Sequence, residues 1–248
     1  MINVLINGIN GKMGQEVLKQ INLSDKFKVI CGTDLSDDKL QDITVYSNTS
    51  NIKEKPDVII DFSIPKATLN ILDYANRHHI PIVIATTGFS SEDLKIIENY
   101  SKTLPIFKSA NMSYEINLMA NLVANLASKL RDSDIEIVET HHNRKIDAPS
   151  GTALILADSI NNALGNNMEY EYNRHAKKEK RNKNEIGIHS IRGGTEVGKH
   201  TVYFFGENES FEITHNVTSR SIFAKGALKA ASFILDKPNG LYDMTNLL

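Results

Sequence analysis

One stretch of the sequence, Glu139–Leu154, holds the densest group of side chains that could do acid–base chemistry. It begins Glu-Thr-His-His-Asn-Arg-Lys and so places His141, His142, Arg144 and Lys145 within a few residues of one another. An imidazole exchanges protons near neutral pH, and a lysine ammonium supplies both positive charge and a proton. This composition predicts a site that binds and protonates a small acid carrying two negative charges.

The same stretch runs into a predicted helix start. Pro149 disfavours helix in the residue before it, and Ser150 is a preferred N-cap residue. The backbone N–H groups of Gly151 and Thr152 then fall in the first helical turn, where they lack partners within the helix. Such a helix start binds a carboxylate as readily as a phosphate, although a cap of this kind can also be purely structural.

The paired histidines could instead bind a metal, with Glu139 or Asp147 as further ligands. However, adjacent residues at a strand end point to opposite faces. The sequence also contains no H-x-x-x-H helix, and its single cysteine, Cys31, lies far away along the chain. We therefore predict an acid-binding site and no metal.

A glycine-rich turn directly follows the first predicted strand. Gly8, Gly11 and Gly14 are spaced G-x-x-G-x-x-G and open a helix. A diphosphate must approach backbone N–H groups closely, which a Cβ would obstruct, and a helix start adds partial positive charge. Asn10, which tolerates positive φ, stands where the commoner G-x-G-x-x-G motif has glycine. The turn predicts dinucleotide binding.

Asp34 ends the second predicted strand, where an acid would hydrogen-bond the adenine ribose. Leu35 and Ser36 follow it, so an arginine that would accept a 2′-phosphate is missing. NADH is therefore at least as well supported as NADPH, for which Lys12 is the nearby cation. The segments Ala85–Gly88 and Ser109–Met112 end later strands and are predicted to border the cofactor.

The elements that position these residues follow two patterns. The first half alternates apolar, β-branched strands with helices, which predicts an α/β fold with a Rossmann-like, doubly wound parallel sheet. The predicted strands are Ile2–Asn7, Phe27–Thr33, Val58–Phe62, Ile82–Thr87 and Leu104–Lys108, and the helices are Met13–Ile21, Lys66–His78 and Glu92–Lys102.

The second half predicts an α+β domain with a mixed or antiparallel sheet. Gly-containing turns separate its last three strands, which favours antiparallel pairing among them. Its predicted helices are Tyr114–Leu130, Thr152–Leu164 and Ile222–Leu235, and its strands are Asp134–Thr140, Ile186–Ile191, Thr201–Phe205 and Phe211–Val217.

The charge of the 248-residue chain is nearly balanced, with 28 Lys and Arg against 30 Asp and Glu. This balance argues against a nucleic-acid partner, and no apolar stretch approaches the roughly 20 residues of a membrane span. The absence of a basic n-region at the N-terminus favours the cytoplasm. Residues 173–184 are rich in Lys and Arg and predict either a solvated loop or a flap over an anionic ligand.

The chain closely resembles the 4-hydroxy-tetrahydrodipicolinate reductase family, also called dihydrodipicolinate reductase, of lysine biosynthesis. The most specific part of the resemblance is the run Glu139–Ala153, whereas the glycine turn alone is less specific. Further matching segments extend the resemblance over nearly the whole chain: Gly8–Gly14, Asp61–Ser63, Thr86–Phe89, Ile188–His200 and Ile213–Gly226.

The resemblance implies an NADH- or NADPH-dependent oxidoreductase that reduces 4-hydroxy-tetrahydrodipicolinate to tetrahydrodipicolinate, with loss of water. It implies that His141 is the catalytic histidine and Lys145 the proton-donating lysine, although the residues themselves leave open which one delivers the proton. The implied substrate contacts are His142, Lys145, Ser150, Gly151 and Thr152. The implied cofactor contacts are Gly8, Ile9, Asn10, Gly11, Lys12, Met13, Asp34, Ala85, Thr86, Thr87, Ser109, Ala110, Asn111 and Met112.

The resemblance also implies a domain plan and an assembly. Residues 1–112 and 220–248 would form the dinucleotide-binding domain, and residues 113–219 the domain for substrate binding and oligomerisation. The family is typically homotetrameric, paired through the sheet of the second domain. Ala85 departs from the family, which commonly has glycine at that position.

Two alternative functions fit parts of the sequence. Another small-acid dehydrogenase, such as an aspartate-dehydrogenase-like enzyme, would share the two-domain plan. A dinucleotide-binding redox sensor could contact nucleic acid through residues 173–184. The Pro149–Thr152 segment argues against the first, and the loop from His141 to Lys145 has no use in the second.

Overall fold

The structure, a computed structural model, describes residues 1–40 and 42–248. The first half of the chain contains β1 (Ile2–Asn7), α1 (Lys12–Asn22), β2 (Phe27–Thr33), β3 (Asp38–Leu40), β4 (Ile43–Tyr46), β5 (Val58–Asp61), α2 (Pro65–His78), β6 (Ile82–Ile84), α3 (Ser91–Ser101) and β7 (Pro105–Lys108). The second half contains α4 (Tyr114–Lys129), β8 (Asp134–His141), α5 (Gly151–Ala163), β9 (Glu169–Glu171), β10 (Glu185–Arg192), β11 (Gly198–Phe205), β12 (Ser210–Val217), α6 (Ser221–Ile234) and β13 (Gly240–Tyr242).

The described chain divides into two compact units. Unit 1 comprises Met1–Tyr114 together with Arg220–Leu248, and unit 2 comprises Glu115–Ser219. The functional roles assigned to residues 1–112 with 220–248 and to residues 113–219 stay predictions, since folding units alone do not identify ligands.

Unit 1 contains a mainly parallel sheet with the strand order β13-β7-β6-β5-β1-β2-β4-β3. Among the described strands of this sheet, only the β3–β4 pair is antiparallel. Strand β5 is buried along its whole length, as expected for a parallel strand covered on both faces. Two apolar clusters, one of which includes α1 and α6 and the other α2 and α3, cover the sheet. The predicted Rossmann-like α/β fold is confirmed.

Several element boundaries differ from the predictions. Strands β5 and β6 end earlier than predicted, because the residues that follow turn away at the carboxyl edge of the sheet. The short strands β3, β4, β9 and β13 were not predicted at all. Each has three or four residues, which is too short for a pattern of alternation to be recognised.

Unit 2 contains a mixed sheet with the strand order β12-β11-β8-β10-β9. The prediction that the last three strands pair antiparallel is wrong for β10, which runs parallel to both β8 and β9. Strand β11 is antiparallel to β8 and β12, as predicted. Strands β10 and β11 both pair with β8, so Gly193 and Gly194 connect them across the end of β8 and do not form a hairpin turn. There Gly193 N–H donates to His141 O at 2.9 Å.

One face of the unit 2 sheet is covered by helices. Ile135 and Ile137 of β8 and their partners in β10 pack against α4 and α5. Alternate side chains point to the opposite face, where Ile191 and Phe205 stay about half exposed at 51% and 43%. Among the described residues, no helix has the length and apolar character required to cross a bilayer.

Candidate functional site

The glycine-rich turn of unit 1 has no room for side chains. Gly8 has a φ of +81°, and a Cβ there would lie 2.7 Å from Phe62 O. A Cβ on Gly14 would lie 2.1 Å from Gly8 O. Both positions therefore require glycine, and the turn brings backbone to the carboxyl end of the sheet at the start of α1.

The start of α1 lies next to the carboxylate of Asp34. Gly11 caps the helix without a side-chain hydrogen bond, so the first-turn N–H groups remain directed outward. Asn10 N–H donates to Asp34 Oδ2 at 2.8 Å, and Leu35 N–H donates to Asp34 Oδ1 at 2.8 Å. Asp34 thus lies beside the glycine turn, as the cofactor prediction requires, while Lys12 is exposed.

Ile9, Met13 and Met112, although predicted as cofactor contacts, contribute to the apolar interior of unit 1. Ile9 is fully buried, and its N–H donates to Thr33 O at 3.3 Å. Met112 is 2% exposed, and a Cβ on Gly226 of α6 would lie 1.7 Å from its carbonyl oxygen.

Beneath the glycine turn lies a polar network that the sequence analysis did not assign. Asp61, at the end of β5, is fully buried and accepts hydrogen bonds from Asn7 Nδ2 at 2.7 Å, Ser63 Oγ at 2.5 Å and Thr68 Oγ1 at 2.7 Å. Burial raises the pKa of Asp61 above its ordinary value, against the opposing effect of these bonds. The network joins the ends of β1 and β5 at the edge of the sheet where the glycine turn lies.

The other two predicted cofactor segments lie at the same edge of the unit 1 sheet. Thr86 is buried, and its hydroxyl accepts a hydrogen bond from Ser63 N–H at 2.9 Å, whereas Thr87 is exposed. Ala85 N–H donates to Asp61 O at 2.9 Å. In the segment Ser109–Met112, Ser109 Oγ donates to Asn111 O at 2.8 Å, and Ala110 is exposed.

His141, at the end of β8 in unit 2, is buried and hydrogen-bonded through one ring nitrogen. Its Nδ1 lies 2.5 Å from Glu139 Oε2. A carboxylate can only accept, so Nδ1 carries the hydrogen and Nε2 is the remaining proton-exchanging atom. A Cβ on Gly198 would lie 3.1 Å from His141 Nε2, so glycine leaves space beside that atom.

Glu139 is fully buried and bound by a guanidinium fork. Arg192 Nη1 donates to Glu139 Oε2 at 2.8 Å, and Arg192 Nη2 donates to Oε1 at 2.7 Å. Burial alone would raise the pKa of Glu139, but hydrogen bonds from His141 and Arg192 outweigh burial and hold the pKa well below its usual range. The carboxylate is therefore anionic. The sequence analysis considered Glu139 only as a metal ligand and missed Arg192.

The predicted cap of α5 is confirmed. Ser150 Oγ accepts a hydrogen bond from Ala153 N–H at 3.1 Å and lies 2.9 Å from His200 Nε2. His200 is only 3% exposed, and burial, followed by the nearby His141, lowers its pKa to about 3. The neutral His200 ring thus fixes the cap, while Gly151 is exposed and Thr152 half-buried.

Lys145 lies in the loop between His141 and α5. Its Nζ is 2.8 Å from Asp147 Oδ1, and this hydrogen bond lowers the pKa of Asp147. Lys145 N–H donates to His142 O at 3.1 Å, which closes the loop into a turn, and His142 is half-buried. His141, His142, Lys145, Ser150, Gly151 and Thr152 therefore belong to one continuous segment from β8 to α5.

Three of the six Lys and Arg residues in the basic segment, residues 173–184, pair with acids of unit 2. Arg174 pairs with Glu185, Lys177 Nζ lies 2.5 Å from Glu171 Oε2, and Arg181 Nε lies 3.1 Å from Glu136 Oε1. These pairs attach the segment to the rest of unit 2, whereas Lys178, Lys180 and Lys183 are exposed. The choice between a solvated loop and a flap over an anionic ligand stays a prediction. Over residues 1–40 and 42–248, no cluster of three His, Cys, Asp or Glu side chains could hold a metal ion.

Comparisons with protein families cover both units. The family description "Dihydrodipicolinate reductase, N-terminus" matches residues 2–112, and "Dihydrodipicolinate reductase, C-terminus" matches residues 115–248.

Comparisons with individual proteins give full-length matches. The chain is 50% identical over 248 residues to the 4-hydroxy-tetrahydrodipicolinate reductase of Caldanaerobacter subterraneus subsp. tengcongensis, covering 100% of this chain and 98% of the relative. It is 44% identical over 249 residues to the enzyme of that name from Clostridium tetani, covering 100% and 97%. The solved dipicolinate-bound dihydrodipicolinate reductase of Paenisporosarcina sp. TG-14 superimposes with a TM-score of 0.83 at 25% identity, covering 100% of both chains.

The lowered pKa of His200 predicts acid-sensitive folding. The unfolded chain, with an ordinary histidine pKa of 6.5, binds a proton below that pH, whereas folded His200 resists protonation down to a pKa of about 3. The free energy of unfolding should therefore fall as pH drops from 6.5 towards 3, by about 1.4 kcal/mol per pH unit for each such group.

Urea unfolding at fixed pH, followed by circular dichroism, measures this effect. His200→Gln should reduce the slope of stability against pH between 6.5 and 5 by about one proton. His215 provides a comparison, because burial lowers its pKa as well, and His215→Gln should also reduce the slope. An unchanged slope in His200→Gln would contradict the prediction.

Proposed function

The chain belongs to the dihydrodipicolinate reductase family, and we propose that the segment from His141 to Thr152 is its substrate and proton-transfer site. The protein is an NAD(P)H-dependent oxidoreductase, a 4-hydroxy-tetrahydrodipicolinate reductase of the diaminopimelate route to lysine. The observation that carries the site assignment is a buried imidazole, fixed by a carboxylate, on the segment that leads into the start of α5.

A dinucleotide fits the residues of unit 1. A Cβ at Gly8 or Gly14 would collide with backbone, so glycine allows the tight turn from Gly8 to Met13 that places the start of α1 where a diphosphate would bind. Asp34 would accept hydrogen bonds from ribose hydroxyls, and the edge formed by Ala85–Thr87 and Ser109–Met112 would border the nicotinamide. The bound NAD(P)H supplies the hydride.

The substrate of the reaction is a cyclic dicarboxylate, and unit 2 offers matching groups. The N–H groups of Gly151 and Thr152, in the first turn of α5, receive one carboxylate. Lys145 contributes positive charge to the binding of the acid, and His142 contributes a hydrogen bond. Ser150 acts through the cap, since its hydroxyl is already bonded to Ala153 N–H and His200.

Balance of the reaction requires a proton as well as a hydride. The substrate receives hydride at carbon and loses its hydroxyl group as water, so one proton must be supplied from the protein or solvent. His141 presents Nε2 for this transfer, because Nδ1 is bound to Glu139. Lys145 binds a carboxylate of the substrate, and its ammonium group is a second possible source of the proton. We assign both residues to the reaction.

Removal of either group tests these roles. His141→Ala and Lys145→Ala should each lower kcat/KM for 4-hydroxy-tetrahydrodipicolinate by about 100- to 10,000-fold, because general acid–base catalysis contributes that much. NADH oxidation, coupled to the synthase that makes the substrate, is the measurement. Arg144→Ala, at an exposed cation of the same loop, should stay within a few-fold of the parent enzyme. Unchanged rates in both alanine variants would refute the assignment.

We propose a preference for NADH over NADPH. The Asp34 carboxylate is held beside the glycine turn, where it would repel a 2′-phosphate, and Leu35 follows it in place of an arginine. Leu35 is 89% exposed, so a longer polar side chain has room there.

Leu35→Arg should raise kcat/KM for NADPH relative to NADH by about tenfold, since a guanidinium–phosphate contact worth about 1.4 kcal/mol gives that factor. Steady-state rates with both cofactors measure the ratio. Leu35→Gln is the uncharged control and should leave the ratio near that of the parent. A ratio that does not move in Leu35→Arg would contradict the proposed placement of the ribose.

We further propose a cytoplasmic homotetramer that pairs through the open face of the unit 2 sheet. The exposed Ile191 and Phe205 on that face, and the ring of Tyr203 stacked on Phe205 at 5.5 Å, provide apolar area for a second copy. A reducing compartment agrees with Cys31, a buried free thiol whose pKa burial raises to about 12.

A charge on the open face should disrupt this assembly. Light scattering should give a mass about four times 27.7 kDa for the parent chain. Ile191→Glu should give a smaller species, because a carboxylate buried without a partner is costly. Leu23→Glu, at a residue of unit 1 that is 75% exposed, should leave the mass unchanged. A tetramer that persists in Ile191→Glu would exclude this face.

A further inference from the structure

Glu139 makes more hydrogen bonds than the proposed reaction alone requires. Its carboxylate is fully buried and accepts from His141 Nδ1, from both Arg192 Nη atoms, and from Ser150 N–H at 3.2 Å. These donors come from β8, from β10 and from the residue that caps α5. One side chain thus joins the imidazole, its counter-ion and the start of the substrate-binding helix.

We propose that Glu139, paired with Arg192, is a positioning residue that sets the tautomer of His141 and fixes that ring relative to the start of α5. This inference rests on the proposed function, because it takes His141 as a proton-transfer residue and α5 as the substrate-binding helix. Glu139 itself has no exposed surface and would touch neither substrate nor cofactor.

The tautomer follows from the acceptor-only character of a carboxylate. An ionised Glu139 requires hydrogen on Nδ1, which leaves Nε2 to gain and release the exchangeable proton. The same negative charge stabilises the imidazolium that forms when His141 takes up a proton. Orientation of a histidine by a buried acid follows the same logic as in catalytic triads.

The charged groups around His141 support this role. Arg192 on β10 neutralises Glu139, and His200 on β11 meets the His141 ring edge-on with centroids 5.1 Å apart. The pKa of His200 of about 3 keeps that neighbour neutral over the working pH range. Glu139 is therefore the anion in direct contact with the His141 ring.

The link to α5 sets a distance as well as an orientation. Glu139 Oε1 holds Ser150 N–H, while Oε2 holds the His141 ring, so the carboxylate spans the two groups directly. Arg192 Nη2 also donates to Asp147 O at 2.6 Å, which ties down the loop that carries Lys145. Proton donor, helix start and lysine loop are thereby held by one ion pair.

Glu139→Gln tests the proposal, since the amide keeps the volume and removes the charge. We expect kcat to fall by about 100- to 10,000-fold, as for loss of a tautomer-fixing acid, with KM for NADH unchanged. Nitrogen-15 NMR of the imidazole without substrate should show hydrogen fixed on Nδ1 in the parent and a mixed tautomer in the variant.

Glu185→Gln is the matched control. Glu185 is also buried, lies on β10 and pairs with Arg174, but it is not bonded to His141 or Ser150 in the described structure. The Glu185→Gln variant should lose stability like Glu139→Gln, yet keep the parent kcat and the parent His141 tautomer. In Glu139→Gln the cation of Arg192 loses its carboxylate partner. The double variant Glu139→Gln with Arg192→Gln removes that cation as well, and it should remain as inactive as Glu139→Gln.

The outcomes separate two failures. If the parent enzyme does not oxidise NADH with 4-hydroxy-tetrahydrodipicolinate, the proposed function fails, while the NMR tautomer still reports on Glu139. If the parent is active and Glu139→Gln keeps the parent kcat and the parent His141 tautomer, the inference about Glu139 is overturned. If Glu139→Gln lost only as much stability as Glu185→Gln and its kinetics were unchanged, Glu139 would have a structural role alone.

Discussion

A carboxylate that is removed from water must find its hydrogen bonds within the protein, and the second unit depends on this constraint at Glu139. A buried charge without partners destabilises the fold by far more than one ordinary hydrogen bond stabilises it. The donors that satisfy Glu139 come from two strands and from the cap of a helix. The elements of the site are thereby required to meet at one point, and the proposed proton-transfer residue is among them.

Unit 1 also contains a buried carboxylate, but its hydrogen-bond donors differ from those of Glu139 and its pKa shifts in the opposite direction. Asp61 is also fully buried, but its partners are the neutral side chains of Asn7, Ser63 and Thr68. Burial consequently prevails and raises the pKa of Asp61, whereas His141 and Arg192 hold the pKa of Glu139 low. Neutral donors suit a network that shapes a turn, and a cationic partner suits a group that must stay charged beside an imidazole.

The sequence predicted those features whose physical cause is local. The turn from Gly8 to Gly14 and the cap at Ser150 depend on neighbouring residues, and both have the predicted form. The parallel pairing of β10 with β8 could not be predicted, because Gly193 and Gly194 look like a hairpin turn when their spatial neighbour is unknown. Short strands such as β3 fall below the length at which alternation can be recognised.

The partners of Glu139 were missed for the same reason, since Arg192 lies 53 residues further along the chain. One signal was available. Ile135, Ile137, Glu139 and His141 alternate along β8 on its buried face, so an acid in that series requires a buried partner. The chemistry of the partner was predictable from this alternation, but its position was not.

Burial also separates fixed charges from exchangeable ones in unit 2. The guanidinium of Arg192 is bound to the Glu139 carboxylate, which is 0% exposed. If Arg192 moved away, the charge of Glu139 would be left buried without a partner, which is strongly destabilising. Lys145 is 21% exposed and its partner Asp147 is 60% exposed, so water can solvate that carboxylate when the lysine leaves it. In the proposed reaction Lys145 can exchange Asp147 for a substrate carboxylate at small cost. The near-neutral charge of the whole chain therefore includes ion pairs with different roles. The buried Arg192–Glu139 pair positions the site, and the Lys145–Asp147 pair can open so that Lys145 binds the substrate.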